Sequence, residues 1–244
     1  MTRSWKTKSA AALAVLFACA VHAQTNVAGS NGGELAGKIY FHGKAPELRP
    51  ISMEKDAVCA SKLTGDALPE DGRVNSNGTL PNAFVYISAG SGNLSTPAPS
   101  NSVTLTQQDC RYVPHVLGVQ VGQPLQVVTV DPTTHNIHIS AANGNHDWNV
   151  TQQPGATSVN TKFTKPAIMV AVHCNIHPWM QAFIGVVTNP YFSVSGGDGS
   201  FVIKNVPAGD YTLSVWTSIF GKQDRSVTVR AGETAIADFT FSNQ

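Results

Sequence analysis

The 244-residue chain predicts an all-β protein built from β-sandwiches, and three observations carry that expectation. Helical periodicity is almost absent. Short runs of β-branched and aromatic residues recur between Gly, Pro, Asn and Asp signals, at the spacing of sandwich strands. Charged residues make up only 13% of the chain, while Gly, Ser, Thr, Asn and Val are plentiful, as turn-rich β structure requires.

Taken in order, the expected strands are 35–41, 83–87, 115–121, 125–130, 168–172 and 183–187. Four more follow at 201–204, 211–216, 226–229 and 235–241. The segment around 131–138 is also strand-like. Gly122-Gln123-Pro124, Asp198-Gly199 and Pro207-Ala208-Gly209-Asp210 supply turn chemistry between them. One or two helices are expected within 53–64, opened by Ser52 as the capping residue and carrying Cys59. Residues 90–102 read as a linker, and 188–191 as a shorter one.

Residues 1–23 read as an export signal. Arg3, Lys6 and Lys8 precede a small apolar run at 10–20, and Val21-His22-Ala23 resembles a cleavage site. The run is too short to span a bilayer. Lipoprotein anchoring at Cys19 is the alternative. Cleavage leaves 13 basic side chains against 15 acidic ones, a balance of about −2. No field of that size draws nucleic acid or an anionic membrane. The mature protein is therefore expected in the periplasm, with no membrane span.

Cleavage also leaves three cysteines: Cys59, Cys110 and Cys174. In an oxidising compartment an odd thiol is paired elsewhere, reactive or metal-bound. Cys59 and Cys110 can pair with each other, which leaves Cys174 over; three buried free thiols are the alternative.

Cys174 sits where the chemistry concentrates. Val172-His-Cys-Asn-Ile-His-Pro-Trp-Met180 spaces Cys174, His177 and Met180 as Cys-x-x-His-x-x-Met. Upstream, Asp131-Pro-Thr-Thr-His135-Asn136-Ile-His138 offers another imidazole. Two imidazoles, a thiolate and a weak thioether form the donor set of one type 1 (blue) copper ion. The expected ligands are His135, Cys174, His177 and, as a long axial donor, Met180. Pro178 stiffens the loop, and Asn136 is placed to brace it. His138 lies an odd number of residues from His135 and so faces the other side of a strand. His173 points away for the same reason, and His115 and His146 read as structural or exposed. A binuclear centre would need a second cysteine in this loop, which has none.

The run Tyr112–Gly122, the His135-Asn136 pair and the Cys174–Met180 loop together resemble a cupredoxin over residues 99–188. The loop is most similar to that of the amicyanins, with Pro after His and an aromatic before Met; plastocyanin belongs to the same family. The resemblance implies the same four ligands and Asn136 as the residue bracing the cysteine loop. It also implies that His177 reaches the surface, where Pro178 and Trp179 would form an apolar electron-transfer patch; the alternative is that Trp179 plugs the copper end of the core. The run from Asp198 to Trp216 resembles a carboxypeptidase regulatory-like (transthyretin-like) β-sandwich. The opening strands of that sandwich match 32–41 and 82–87. The expectation is thus a cupredoxin Greek-key sandwich, 99–188, inserted in or adjoining a second sandwich made of 33–98 plus 189–244. Asp198, Asp210 and Asp224 read as turn residues.

The expected function is carriage of single electrons between periplasmic redox partners such as a cytochrome c or a dehydrogenase. Four protein ligands leave no open position for a substrate, so an enzyme is not expected. A periplasmic copper chaperone or sensor using the same ligands is the alternative.

Overall fold

The computed structural model describes residues 1, 32–62, 67–91 and 94–243. The expected signal at 1–23, with Cys19, lies outside the described residues. Among those described, no helix is long and apolar enough to cross a membrane. The elements begin with β1 (Gly32–His42), α1 (Ala57–Ser61), β2 (Phe84–Gly90), β3 (Val103–Gln108), β4 (Arg111–Val113) and β5 (Val116–Gln120). Next come β6 (Pro124–Thr129), β7 (His135–Ile139), β8 (Trp148–Gln152), β9 (Val159–Lys162), β10 (Ala167–His173) and β11 (Gln181–Val187). The chain closes with β12 (Phe192–Val194), β13 (Ser200–Pro207), β14 (Gly209–Thr217), β15 (Gly221–Val229), β16 (Thr234–Ile236) and β17 (Phe239–Ser242).

The strands from β3 to β11 form two sheets, one ordered β5-β11-β10-β7-β8 and the other β4-β3-β6-β9. The alternation of β6, with Leu125 and Val127 turned inward, meets Leu117, Val119, Ile137, Val172 and Ile184 from the opposing sheet in one core. Cys174 and Met180 belong to the same core. The site therefore hangs from a packed wall rather than from a loose loop.

The remaining strands build a second pair of sheets. β1 runs antiparallel to β13 and parallel to β16 and β17, while β2 joins the order β12-β2-β14-β15. Leu35, Ile39, Val85, Phe201, Ile203, Leu213, Val215 and Phe239 fill the space between them. β1 and β2 thus find most of their partners beyond Val187, after the chain has completed the other sheets.

Where the two sheet pairs meet, Phe84 and Phe192 lie on the outer face of β5 and β11. Gly118 and Gly185 are register partners there. A Cβ on Gly118 would come within 2.2 Å of the Phe192 ring, and one on Gly185 within 2.3 Å of Phe84. Only glycine lets the rings approach so closely.

The sequence expectation and the structure differ in identifiable places. β3, β4, β8, β9 and β12 were not expected. β8 and β9 are Trp-Asn-Val-Thr-Gln and Val-Asn-Thr-Lys, and every residue but Gln152 is at least partly exposed, so little apolar signal announces them. The expected strand at 235–241 splits into β16 and β17, and beside the break Asp238 Oδ1 accepts the Lys38 N–H at 2.8 Å. The helix expected within 53–64 is only α1. Its cap is Asp56 rather than Ser52, because Asp56 Oδ1 accepts the Cys59 N–H at 3.0 Å. Residues 63–66 lie outside the described part.

Candidate metal centre

His135 opens β7 and Cys174 directly follows β10, on neighbouring antiparallel strands. Residues 174–180 then turn back into β11, closed by Met180 N–H to His177 O at 2.9 Å and Cys174 N–H to Met180 O at 3.2 Å. The turn brings His177 under the same end of the sandwich. His135 Nδ1, Cys174 Sγ and His177 Nδ1 form a buried cluster able to hold a metal ion. The two Nδ1 atoms are 3.0 Å apart, and Cys174 Sγ lies 3.9 Å from His177 Nδ1. Met180 is buried in the core that also holds Cys174.

The far side of each ring decides its proton. His135 Nε2 faces Asp131 Oδ2 at 2.9 Å, and His177 Nε2 faces Asp56 Oδ2 at 3.1 Å. An ionised carboxylate only accepts hydrogen bonds, so Nε2 carries the proton in both rings. With one proton per ring, both Nδ1 lone pairs then point at each other. Two lone pairs at that separation repel unless a cation lies between them, and the donors present are of the type that bind a soft or borderline metal. Cys174 Sγ accepts the Asn136 and His177 backbone N–H groups at 3.3 and 3.4 Å, an environment suited to a thiolate. The residues fit a metal of that class.

Burial works to lower the pKa of His135 and outweighs the opposing pull of Asp131. Asp56 is held at about 2: the Cys59 N–H is the largest influence, with Thr133 and His177 adding to it against a desolvation cost. Tyr112, wholly buried, has its pKa pushed up by desolvation first and by Cys174 second. Its hydroxyl donates to Asn136 O and also lies 3.2 Å from His173 O, tying the ends of β4, β7 and β10 together.

Asn136 bridges two neighbouring segments through its side-chain amide. Its Oδ1 accepts the Asn175 N–H at 3.2 Å, and its Nδ2 donates to Asn149 Oδ1 at 2.7 Å. His138 and His173 pair across β7 and β10 on the outer face, where His138 Nε2 meets Asp147. His115 is buried against Asp71 and Phe183, while His146 is exposed.

One expectation is corrected. His177 does not reach the surface, for it is only 2% exposed. The segment carrying α1 covers it, Asp56 bonding its outer nitrogen and Cys59 Sγ lying 3.9 Å from the same atom. Cys59 is joined to Cys110 by a disulfide, leaving Cys174 as the free cysteine among the described residues. Pro178 is exposed, but Trp179 is half-buried, with its ring 5.0 Å from that of His177 and its indole N–H donating to Cys110 O at 3.1 Å.

Cys110 itself occupies a two-residue hairpin turn between β3 and β4. Asp109 and Cys110 have φ of 52° and 55°, as a type I′ turn demands. Asp131 Oδ1 and Oδ2 accept the Asp109 and Cys110 N–H groups at 2.8 and 2.9 Å. Asp131 thereby holds the turn and His135 together. Asp131 and Asp56 are the residues that sequence reasoning missed. An acidic residue one turn before a candidate ligand was a usable signal for Asp131; nothing local signals Asp56.

Comparison with known proteins comes in three parts. Residues 179–237 match the family described as polysaccharide lyase family 4, domain II, a fibronectin-like β domain. No curated protein matches the chain. Among solved structures, the copper-containing nitrite reductase (NirK) from Thermus scotoductus SA-01 is 20% identical at a TM-score of 0.33. That likeness covers 41% of this chain and 25% of the reductase, so the chain spans about a quarter of that protein. A methionine-to-alanine variant of amicyanin in the Cu(I) state is 17% identical at a TM-score of 0.32, over 42% of this chain and 97% of the amicyanin. The reduced state of a proline-to-phenylalanine amicyanin variant gives 18% identity with the same coverage and score. These structural neighbours are cupredoxins.

Proposed function

We propose that this chain is an exported type 1 copper protein that carries single electrons between periplasmic redox partners, such as a cytochrome c or a dehydrogenase. One observation carries the reading: His135 Nδ1, His177 Nδ1 and Cys174 Sγ converge in a buried cluster, while the outer nitrogens of both rings are committed to carboxylates. His135, Cys174, His177 and Met180 would hold the copper. Bound copper supplies a one-electron couple there.

The chain's own residues supply the rest. The two backbone N–H groups on Cys174 Sγ hold the thiolate in one orientation, and Asn136 pins the loop that carries it. Burial excludes water, which limits the rearrangement that accompanies a change of charge. Within this reading, 99–188 forms the copper domain, inserted in a discontinuous sandwich of 33–98 plus 189–244, and residues 1–23 direct export. Four protein ligands leave no position for a substrate, so the role is not enzymatic. Handing copper to a partner needs an accessible ligand, and the burial of His177, Cys174 and Met180 favours electron carriage over a chaperone role.

The test is a visible spectrum of the mature protein with one equivalent of Cu(II). An intense thiolate-to-copper band that bleaches with a mild reductant and returns with an oxidant is expected. Cys174→Ser abolishes it. A wild-type protein that stays colourless sinks the proposal.

A further inference from the structure

Each imidazole of the candidate site carries a carboxylate on the nitrogen turned away from the donor cluster, and neither carboxylate is free to wander. Asp131 is buried, and besides His135 it accepts the Asp109 and Cys110 N–H groups. Asp56 accepts the Cys59 N–H on Oδ1 and the Thr133 hydroxyl, at 2.8 Å, on the oxygen that also meets His177. Asp131 comes from the turn before its own histidine. Asp56 comes from 121 residues away, on a segment clamped by the Cys59–Cys110 disulfide.

We propose that Asp56 and Asp131 are paired positioning residues that make both imidazoles stronger donors and bias bound copper toward its oxidised, doubly charged state. The inference rests on the copper reading above. A carboxylate that accepts Nε2–H draws the proton outward and raises the basicity of Nδ1. Each carboxylate also acts at a distance: its attraction for a cation scales with the cation's charge, so Cu(II) gains more than Cu(I). The interior is poor in water, which keeps that difference from being screened away. Asp131 is the stronger of the two, since its side chain is 2% exposed against 20% for Asp56.

A purely structural role predicts something else. Asp131 also holds the β3–β4 turn and Asp56 also caps α1, so loss of either could loosen the site for both oxidation states alike. Asp56→Asn separates the two roles, because asparagine caps a helix about as well as aspartate but brings no negative charge to His177.

The experiment uses the mature copper-loaded protein as wild type, Asp56→Asn, Asp56→Glu and Asp131→Asn. Cu(II) and Cu(I) affinities are measured by competition with chelators, and the midpoint potential by spectroelectrochemistry. Both Asn variants are expected to lose Cu(II) affinity by about 10–100-fold more than Cu(I) affinity, on the scale usual for removing such a partner. At 59 mV per tenfold for one electron, the potential then rises by about 60–120 mV, more for Asp131→Asn. Asp56→Glu, which restores the charge, is expected to recover most of the Cu(II) affinity. Equal losses for both oxidation states, or blue variants at the wild-type potential, overturn the proposal and leave the electron-carrier reading standing. A colourless wild type overturns both. Should Asp131→Asn fail to fold, Asp56→Asn on the outer segment decides.

Discussion

The strands between Val103 and Val187 and those that flank them in sequence both make two-sheet sandwiches, yet their interiors differ in kind. The flanking sandwich is filled by Leu35, Ile39, Val85, Phe201, Leu213 and Phe239, and apart from Asn189 its buried polar side chains are hydroxyls such as Ser195 and Ser214. The central sandwich buries Gln107, Asp131, His135, Asn136, Gln152 and His177 as well as its aliphatic wall. Gln107 Nε2 donates to Gln152 Oε1 at 2.6 Å, and the histidines and Asn136 are all bonded. Among the described residues, the buried side-chain atoms that lack a partner, on Gln107, Gln120 and Thr129, also lie in this half. Burying polar groups is costly unless each is paired. A sandwich stocked with them gains a site, whereas an apolar one gains only stability.

That contrast makes graded predictions. The largest concerns the seam between the halves, where Phe84 is fully buried against Gly118 and Gly185. Phe84→Ala is expected to cost about 3–5 kcal/mol in urea unfolding. If the halves are independent, the loss splits the transition in two; if they are one cooperative unit, the single transition moves as a whole. Next comes Asn136→Ala, which leaves the Asn175 N–H without its acceptor and Asn149 Oδ1 and Val150 O without their donor. About 1–3 kcal/mol is expected from the unpaired groups. The copper band should also shift or broaden, an effect that Phe84→Ala should not produce. An unchanged band in Asn136→Ala would mean that the loop holds its shape without the amide.

The smallest effect is a pH dependence at His115, on the rim of the central sandwich. Burial acts to lower its pKa, but Asp71 and Glu70 outweigh that and raise it above the ordinary 6.5. A folded-state pKa above the unfolded one contributes stability in full below about pH 6.5, and that stability is lost as pH rises through the folded value. The melting temperature should therefore fall on raising the pH above 6.5, and His115→Gln should flatten that fall. An identical slope in the variant would assign the dependence to other groups.

Legibility in the sequence followed the physics of each element. Strands with inward apolar alternation, such as β6, or with continuous burial, such as β11, were readable because hydrophobic period is a local property. β8 and β9 were not, since edge strands with polar faces carry little apolar pattern. α1 was misplaced because Ser52 and Asp56 are equally good capping types, and only the fold shows which one meets an orphan N–H. A surface position for His177 came from the family resemblance, and nothing near it in sequence shows the Asp56 segment that covers it.

The candidate donors could be named without a structure: Cys174, His177 and Met180 lie on one short loop, where spacing alone constrains geometry, and strand parity favours His135 over His138. The tertiary structure decided what surrounds those donors. Asp56 reaches His177 across 121 residues, and the Cys59–Cys110 clamp that holds it there spans 51. Contacts at such separations depend on how whole sheets pack, and packing leaves no local pattern in the chain.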